Sequence, residues 1–352
     1  MSGGTISKNI ANSDGGGIFN AGTFTMTGGA VENNEAKYGG GVLVSGGTFT
    51  MSGGTTKISG NTTSGNGGGV FVYNGGEFTM GGGTVSGNTA SGDGGGVFNA
   101  STVKMTGGII ENNEADSGGG VLINGGTFTM SDGATKISGN TAKSNGGGIF
   151  VYNGGEFTMT SGIVSDNIAN SDGGGVYNAS TFNMSGAAKH SRNTANSSGV
   201  GVVVNTGGTF MMTSGEISRN TADNAGGVFV RGGGKFTMTG GGVSDNKSDR
   251  LGGGVYNSGT FEMSGTAKIT GNTAGASGGG VFVLSGGEFT MTNGEISSNS
   301  TETYGGGVFV YPNGVFAMSG GTISGNTATI NGGGVFNNGG TFTHTGGTVQ
   351  SD

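Results

Sequence analysis

The sequence predicts an all-β fold, a right-handed parallel β-helix (solenoid) of about 13 turns with 24–28 residues and three short strands per turn. Three observations carry this expectation. Of 352 residues, 89 are Gly, against an average usage of about 7%. A Gly-Gly-Gly-Val motif recurs from Gly15 to Gly332 in 13 copies, some with small departures, spaced 24–28 residues apart. Between copies, apolar residues stand two apart, as in Thr48-Phe49-Thr50-Met51, which is strand alternation and not helical spacing.

The alternatives fail on composition. Collagen needs Gly at every third residue and abundant Pro, whereas this chain has 1 Pro and no such period. A flexible linker would not carry 20 Phe and 14 Met at regular spacing. With 31% hydrophobic residues the chain cannot fill several compact globular cores, but a solenoid needs only a narrow one. The formal net charge of −7 without basic clusters argues against nucleic acid, which requires several Lys/Arg contacts to phosphate. No apolar run approaches the roughly 20 residues of a membrane span. Met1-Ser2-Gly3-Gly4 lacks the basic start and apolar stretch of a signal peptide.

Each turn reads in the same order. The Gly triplet serves as a corner where φ is positive or backbones approach closely. The Thr-Phe-Thr-Met block places its Phe and Met on one face and β-branched Thr on the other. Phe49, Met51, Phe78, Met80, Phe128, Met130, Phe157 and Met159 are therefore expected as stacked core columns. An Ile/Val-x-x-Asn block follows, as in Ile58-Ser59-Gly60-Asn61. Alternation does not decide the Phe that follows Gly-Gly-Gly-Val. If Val70 and Val72 point inward, Phe71 forms an exposed aromatic ladder; otherwise it is core. The triplets at Gly15, Gly94, Gly173 and Gly252 lie 79 residues apart and each is followed by Asn at the same slot (Asn20, Asn99, Asn178, Asn257). The whole chain, residues 1–352, reads as one repeat domain grown by duplication of three-turn blocks.

These motifs resemble the paired GGA[ILV] and FxxN repeats of the chlamydial polymorphic outer-membrane proteins. Gly67-Gly68-Gly69-Val70 is similar to the first motif and Ile58-Ser59-Gly60-Asn61 to the second, with Ile in place of Phe. More broadly the text is similar to Gly-rich β-helix repeats of bacterial surface and secreted proteins. The resemblance implies a pectate-lyase-like fold and a role in surface display or adhesion.

The candidate chemistry is sparse. Asn61, Asn88, Asn113, Asn140 and Asn167 form a regular column, read as a stacked amide ladder at a corner in preference to a sugar-binding row. Glu77, Glu156 and Glu288 share one slot, but Glu77 and Glu156 are three turns, or roughly 14 Å, apart, too far for a catalytic carboxylate pair. His190 and His344 stand alone and are read as drift at tolerant positions. Thr pairs such as Thr23/Thr25 and Thr127/Thr129 look like the rows of ice-binding solenoids, yet Glu77, Lys104 and Glu262 interrupt them.

The function expected is therefore a non-enzymatic, extracellular structural or adhesive segment of a bacterial surface or secreted protein, with no catalytic, cofactor-binding or metal-ligating residues. Ice binding through the Thr rows is the alternative, and polysaccharide binding or cleavage the third reading. Expected partners are further copies of the chain, stacked head to tail into filaments through open solenoid ends, and glycans or proteins of a host or matrix.

Overall fold

The structure, a computed structural model, describes residues Met1–Gln350 as strands, turns and bends, with no helix among them. The chain is a parallel β-solenoid of about 13 turns and falls into two compact units, Met1–Asn170 and Ser171–Asp352.

In the first unit, the turn that begins at Gly118 shows how sequence becomes structure. Three strands, Val121–Asn124, Thr127–Met130 and Lys136–Ser138, are followed by a two-residue rung, Thr141–Ala142. Every strand pairs in parallel with its counterpart one turn away. Val121 stands beside Val97 on one side and Ile149 on the other, and Phe128 beside Val103 and Phe157. The strands' backbone groups are thus satisfied between turns, while tight bends close within a turn, as Thr135 N–H to Asp132 O at 3.1 Å.

Like residues consequently stack. Phe49, Phe78, Phe128 and Phe157 are buried, and so are Met51, Met80, Met130 and Met159 beside them. Phe49 lies 4.9 Å from Phe78 and Phe128 5.4 Å from Phe157, ring on ring. Ile58, Val85, Ile110 and Ile137 make the next inward column of the same sheet, also buried. Val70 and Val72 are fully buried, so Phe71 between them points to the outer face of its strand. The row is not the exposed ladder expected with inward Val, because Phe71 is half-buried and its neighbour Phe98 is buried.

The Gly triplet is dictated by the tight approach of successive turns. Gly118 has φ +63, a left-handed conformation that L side chains avoid. A Cβ at Gly119 would lie 2.5 Å from the Thr141 carbonyl oxygen, and one at Gly120 2.6 Å from that of Gly148. The triplet amides pair instead with the next triplet, Gly119 N–H to Gly146 O at 3.1 Å and Gly120 N–H to Gly147 O at 3.1 Å.

The second unit repeats the plan. Val176, Val202, Val228, Val255, Val281, Val308 and Val335 stand in register, beside a column running from Phe182 to Phe342. Two departures are visible. Val200 takes the place of a second glycine and is buried, and Ala225 takes that of a first glycine with φ 58.

Candidate functional site

The most regular polar feature is spent on the fold. In the first unit the Oδ1 of each ladder Asn accepts both the backbone and the side-chain N–H of the Asn one turn before it. The pairs Asn61→Asn88, Asn88→Asn113, Asn113→Asn140 and Asn140→Asn167 all measure 2.9–3.0 Å. The other Nδ2 hydrogen goes to the carbonyl of the preceding turn's Ile/Val, as from Asn88 to Ile58 at 3.0 Å and from Asn167 to Ile137 at 3.0 Å. An amide has two donors and one acceptor oxygen, and here all are engaged in the buried column. The ladder extends to Asn34 and Asn9. The signal for both was present as Val31-x-x-Asn34 and Ile6-x-x-Asn9. In the second unit the same geometry runs from Asn193 through Asn220, Asn246, Asn272 and Asn299 to Asn326.

The Asn residues of the 79-residue spacing have their own task. Asn99 is buried and donates to Thr127 O at 2.8 Å while accepting from Ser101 N–H at 3.0 Å. It thereby pins the bend between two strands. Asn178 bonds to Thr209 O and Ser180 N–H in the same way.

The two histidines differ. His344 is exposed, its ring stacked 5.9 Å from Phe342. His190 is fully buried, edge-on to Phe182 at 5.5 Å, and neither ring nitrogen has a hydrogen-bond partner. Burial pushes its pKa from 6.5 down to about 3. It fills the inward column beside Ile217, so its position is a constrained one and the reading of tolerant drift is corrected.

On the Phe-Met strands the outward slots are a mixed polar surface. Thr23 and Thr25 are exposed, and Thr48, Thr50, Thr79 and Thr129 half-buried. Ion pairs between neighbouring turns cross the rows, Lys104 to Glu77 at 2.8 Å and Lys235 to Glu262 at 2.8 Å. Glu156 and Glu288 open the strands Glu156–Met159 and Glu288–Met291, at the slot Glu77 occupies in Glu77–Ser86.

The outer face of the Gly-Val strands is different, because it is aromatic. In the first unit Phe71 lies face to face with Phe98 at 4.7 Å, with Tyr73 edge-on at 5.3 Å. In the second, Tyr256, Phe282, Phe309 and Phe336 stack at 5.2, 4.9 and 5.5 Å. The chain leading into each Gly triplet flanks this row and brings charge to it. Asp172 precedes Gly173, and its carboxylate is 2.5 Å from Arg231 Nη2. The Arg231 guanidinium lies 5.3 Å from the Phe229 ring centre and 5.9 Å from that of Tyr177, and donates to Asn205 Oδ1 at 3.4 Å. Burial is the main influence raising the Tyr177 phenol above its ordinary value. In the first unit Asp93 precedes Gly94 and borders a groove of about 350 Å³ floored by Phe98, Leu122 and Phe150. Burial first and the neighbouring Asp116 second hold the Asp93 carboxyl above the usual carboxylate range. Asp93, Asp116, Asp172 and Arg231 escaped the sequence reading. The signal for Asp93 and Asp172 is the 79-residue block, which sets Asp14, Asp93 and Asp172 alike before a Gly triplet; Asp116 and Arg231 have no such mark.

Among the described residues no group of three or more His, Cys, Asp or Glu side chains could hold a metal ion, and no helix is long and apolar enough to cross a membrane. The family model of the Chlamydia polymorphic membrane protein repeat matches residues 134–152. That stretch holds one Asn corner, Ile137-Ser138-Gly139-Asn140, and one Gly corner, Gly146-Gly147-Gly148-Ile149. No curated protein and no solved structure matches the chain. The matched repeat and the parallel solenoid together make the chain similar to a repeat region of a bacterial surface protein.

Proposed function

We propose that the chain is a non-enzymatic structural and adhesive solenoid displayed on or secreted from a bacterial surface. The observation that carries this reading is the Asn ladder. Its hydrogen-bonding capacity is consumed between turns, so the most repetitive polar residues build a stiff scaffold and are withheld from substrate. What remains outside is a set of repeated faces, which suits display and contact. The match to a surface-protein repeat points the same way.

Head-to-tail association of copies belongs to the same proposal. The strand Ser2–Ser7 pairs with Gly28–Glu32, and Thr348–Val349 with Thr322–Ser324, each on one flank. A free flank presents unpaired N–H and C=O groups to another chain. Light scattering over a concentration series, with electron microscopy of the same samples, tests this. End-to-end fibres are expected, and monomers at every concentration would remove the filament. Turnover of a polyuronate by the purified chain, abolished by one point substitution, would overturn the non-enzymatic reading.

A further inference from the structure

The Arg231 cluster in the second unit is a filled version of a groove that is open in the first. The two sets of residues occupy matching slots. Asp93 and Asp172 each precede the first glycine of a triplet, with Ser117 beside Asp93 in the groove and the Ser198 N–H donating to Asp172 Oδ1 at 3.0 Å. Phe98 and Tyr177 follow Val97 and Val176 on the outer face. Asn124 and Asn205 each come one residue after the next turn's inward pair, Ile123 and Val204. Phe150 matches Phe229, and Tyr152 stands where the second unit has Arg231. In the second unit the chain's own guanidinium occupies the cluster, paired with Asp172 and lying over two aromatic rings. In the first, no cation of the described chain is paired with Asp93 or with Asp116, and a space of about 350 Å³ opens over the rings instead.

We propose that the groove bordered by Asp93, Asp116, Asn124 and Tyr152, with Phe98 and Phe150 as its floor, binds an arginine side chain of a partner polypeptide. Arg is favoured over Lys by the planar guanidinium, which can lie on an aromatic face and hydrogen-bond a carboxylate in the same pose. Asp116 adds a second negative charge to this groove. The related groove near Asp14 has Lys37 at the Asp116 slot, with its ammonium 5.3 Å from the Tyr38 ring, and is the weaker candidate. The inference deepens the adhesive reading and rests on it, since it names the chemistry that a contacting partner would present.

The test is titration of the full chain with the end-capped peptide Gly-Arg-Gly, followed by ligand-observed NMR through the millimolar range. The peptide in which citrulline replaces Arg is the uncharged isostere. Saturable binding at one site is expected, weakened about tenfold or more by citrulline and by Asp93→Asn, because a charge-assisted bond is lost. Tyr152→Arg should abolish binding by supplying the guanidinium from within. Arg231→Tyr should open the second cluster and raise the stoichiometry from one to two. Unchanged far-ultraviolet circular dichroism shows that each variant is folded. Absence of saturation with the Arg peptide, equal binding of the citrulline peptide, or undiminished binding by a folded Tyr152→Arg variant would overturn the proposal. None of these results bears on fibre growth or polyuronate turnover, so the scaffold reading stands or falls separately.

Discussion

The Oδ1 of Asn88 accepts two hydrogen bonds from Asn61, one turn away, at 3.0 Å from the backbone N–H and 2.9 Å from Nδ2. Its own Nδ2 reaches Asn113 at 2.9 Å and Ile58 O at 3.0 Å. Each rung is therefore both acceptor and donor, and removal of one side chain strands groups on two neighbouring turns. Asn88→Ala leaves two buried donors of Asn61 without an acceptor. At about 1–3 kcal/mol for each orphaned group, denaturant unfolding should show a loss of roughly 2–6 kcal/mol. Thr62→Ala, at an exposed outward slot, should stay within about 0.5 kcal/mol. Equal effects would show that the ladder does not hold the corner.

The aromatic and thioether columns make a second case. Phe128 and Met130 are buried, Phe128 stacked on Phe157. Truncation of either to Ala removes a large side chain from a core with no room to collapse, because the turns are held apart by their backbone ladders. A cost of about 2–5 kcal/mol is expected, read from the midpoint shift in denaturant. An unchanged midpoint would mean that these columns do not form the core.

Much of this architecture was legible from period and alternation alone. Phe49 and Met51 stand two apart, and a strand can send both only to one side, so their burial follows without knowledge of the neighbours. Phe71 was not legible in that way. Its strand is sandwiched between two possible faces, and only the burial of Val70 and Val72 decides between them. Arg231 was hidden for a different reason. Its partners Asp172 and Tyr177 are 59 and 54 residues away in the chain, and they meet only because successive turns stack in register. The Asn ladder lay between these cases. Its column was plain in the text, its extension to Asn34 and Asn9 included, and what the text could not give was the double acceptance by each Oδ1.

The Gly corner yields a pair of opposite predictions. A methyl group at Gly120 would stand 2.6 Å from Gly148 O and 3.0 Å from the ladder amide of Asn140. Gly148 O is fixed by the Val121 N–H and the Asn140 amide by Asn167 Oδ1, so neither yields cheaply and Gly120→Ala should cost about 1–3 kcal/mol. Ala225 sits at the first position of its triplet with φ 58, a conformation that costs an L residue about 1–2 kcal/mol. Ala225→Gly relieves that strain at the expense of backbone entropy, for a net gain of about 0.5–1 kcal/mol. Thermal unfolding of the two variants should move the midpoint in opposite directions. A shift of the same sign in both would contradict the geometric account of the corner.

His190 makes the second unit sensitive to acid. Its ring is enclosed by Phe182 and its neighbours without a hydrogen-bond partner for either nitrogen, and the folded pKa drops to about 3 from 6.5. Between these values the unfolded chain takes up a proton that the folded chain refuses. Stability from this group is therefore complete above pH 6.5 and falls as the pH drops through the window towards 3. The slope is about tenfold in the folding equilibrium per pH unit. Carboxylates contribute to acid unfolding at the lower end of this window, so the wild-type curve alone does not isolate His190. His190→Ile does, because it restores the aliphatic residue found at Ile217 in the paired strand and removes the titrating ring. The variant should unfold at higher denaturant concentration than wild type at every pH. Its advantage should grow steadily as the pH is lowered from 6.5 to 4.5. An advantage that stays constant across that range would show that His190 is not held neutral in the core.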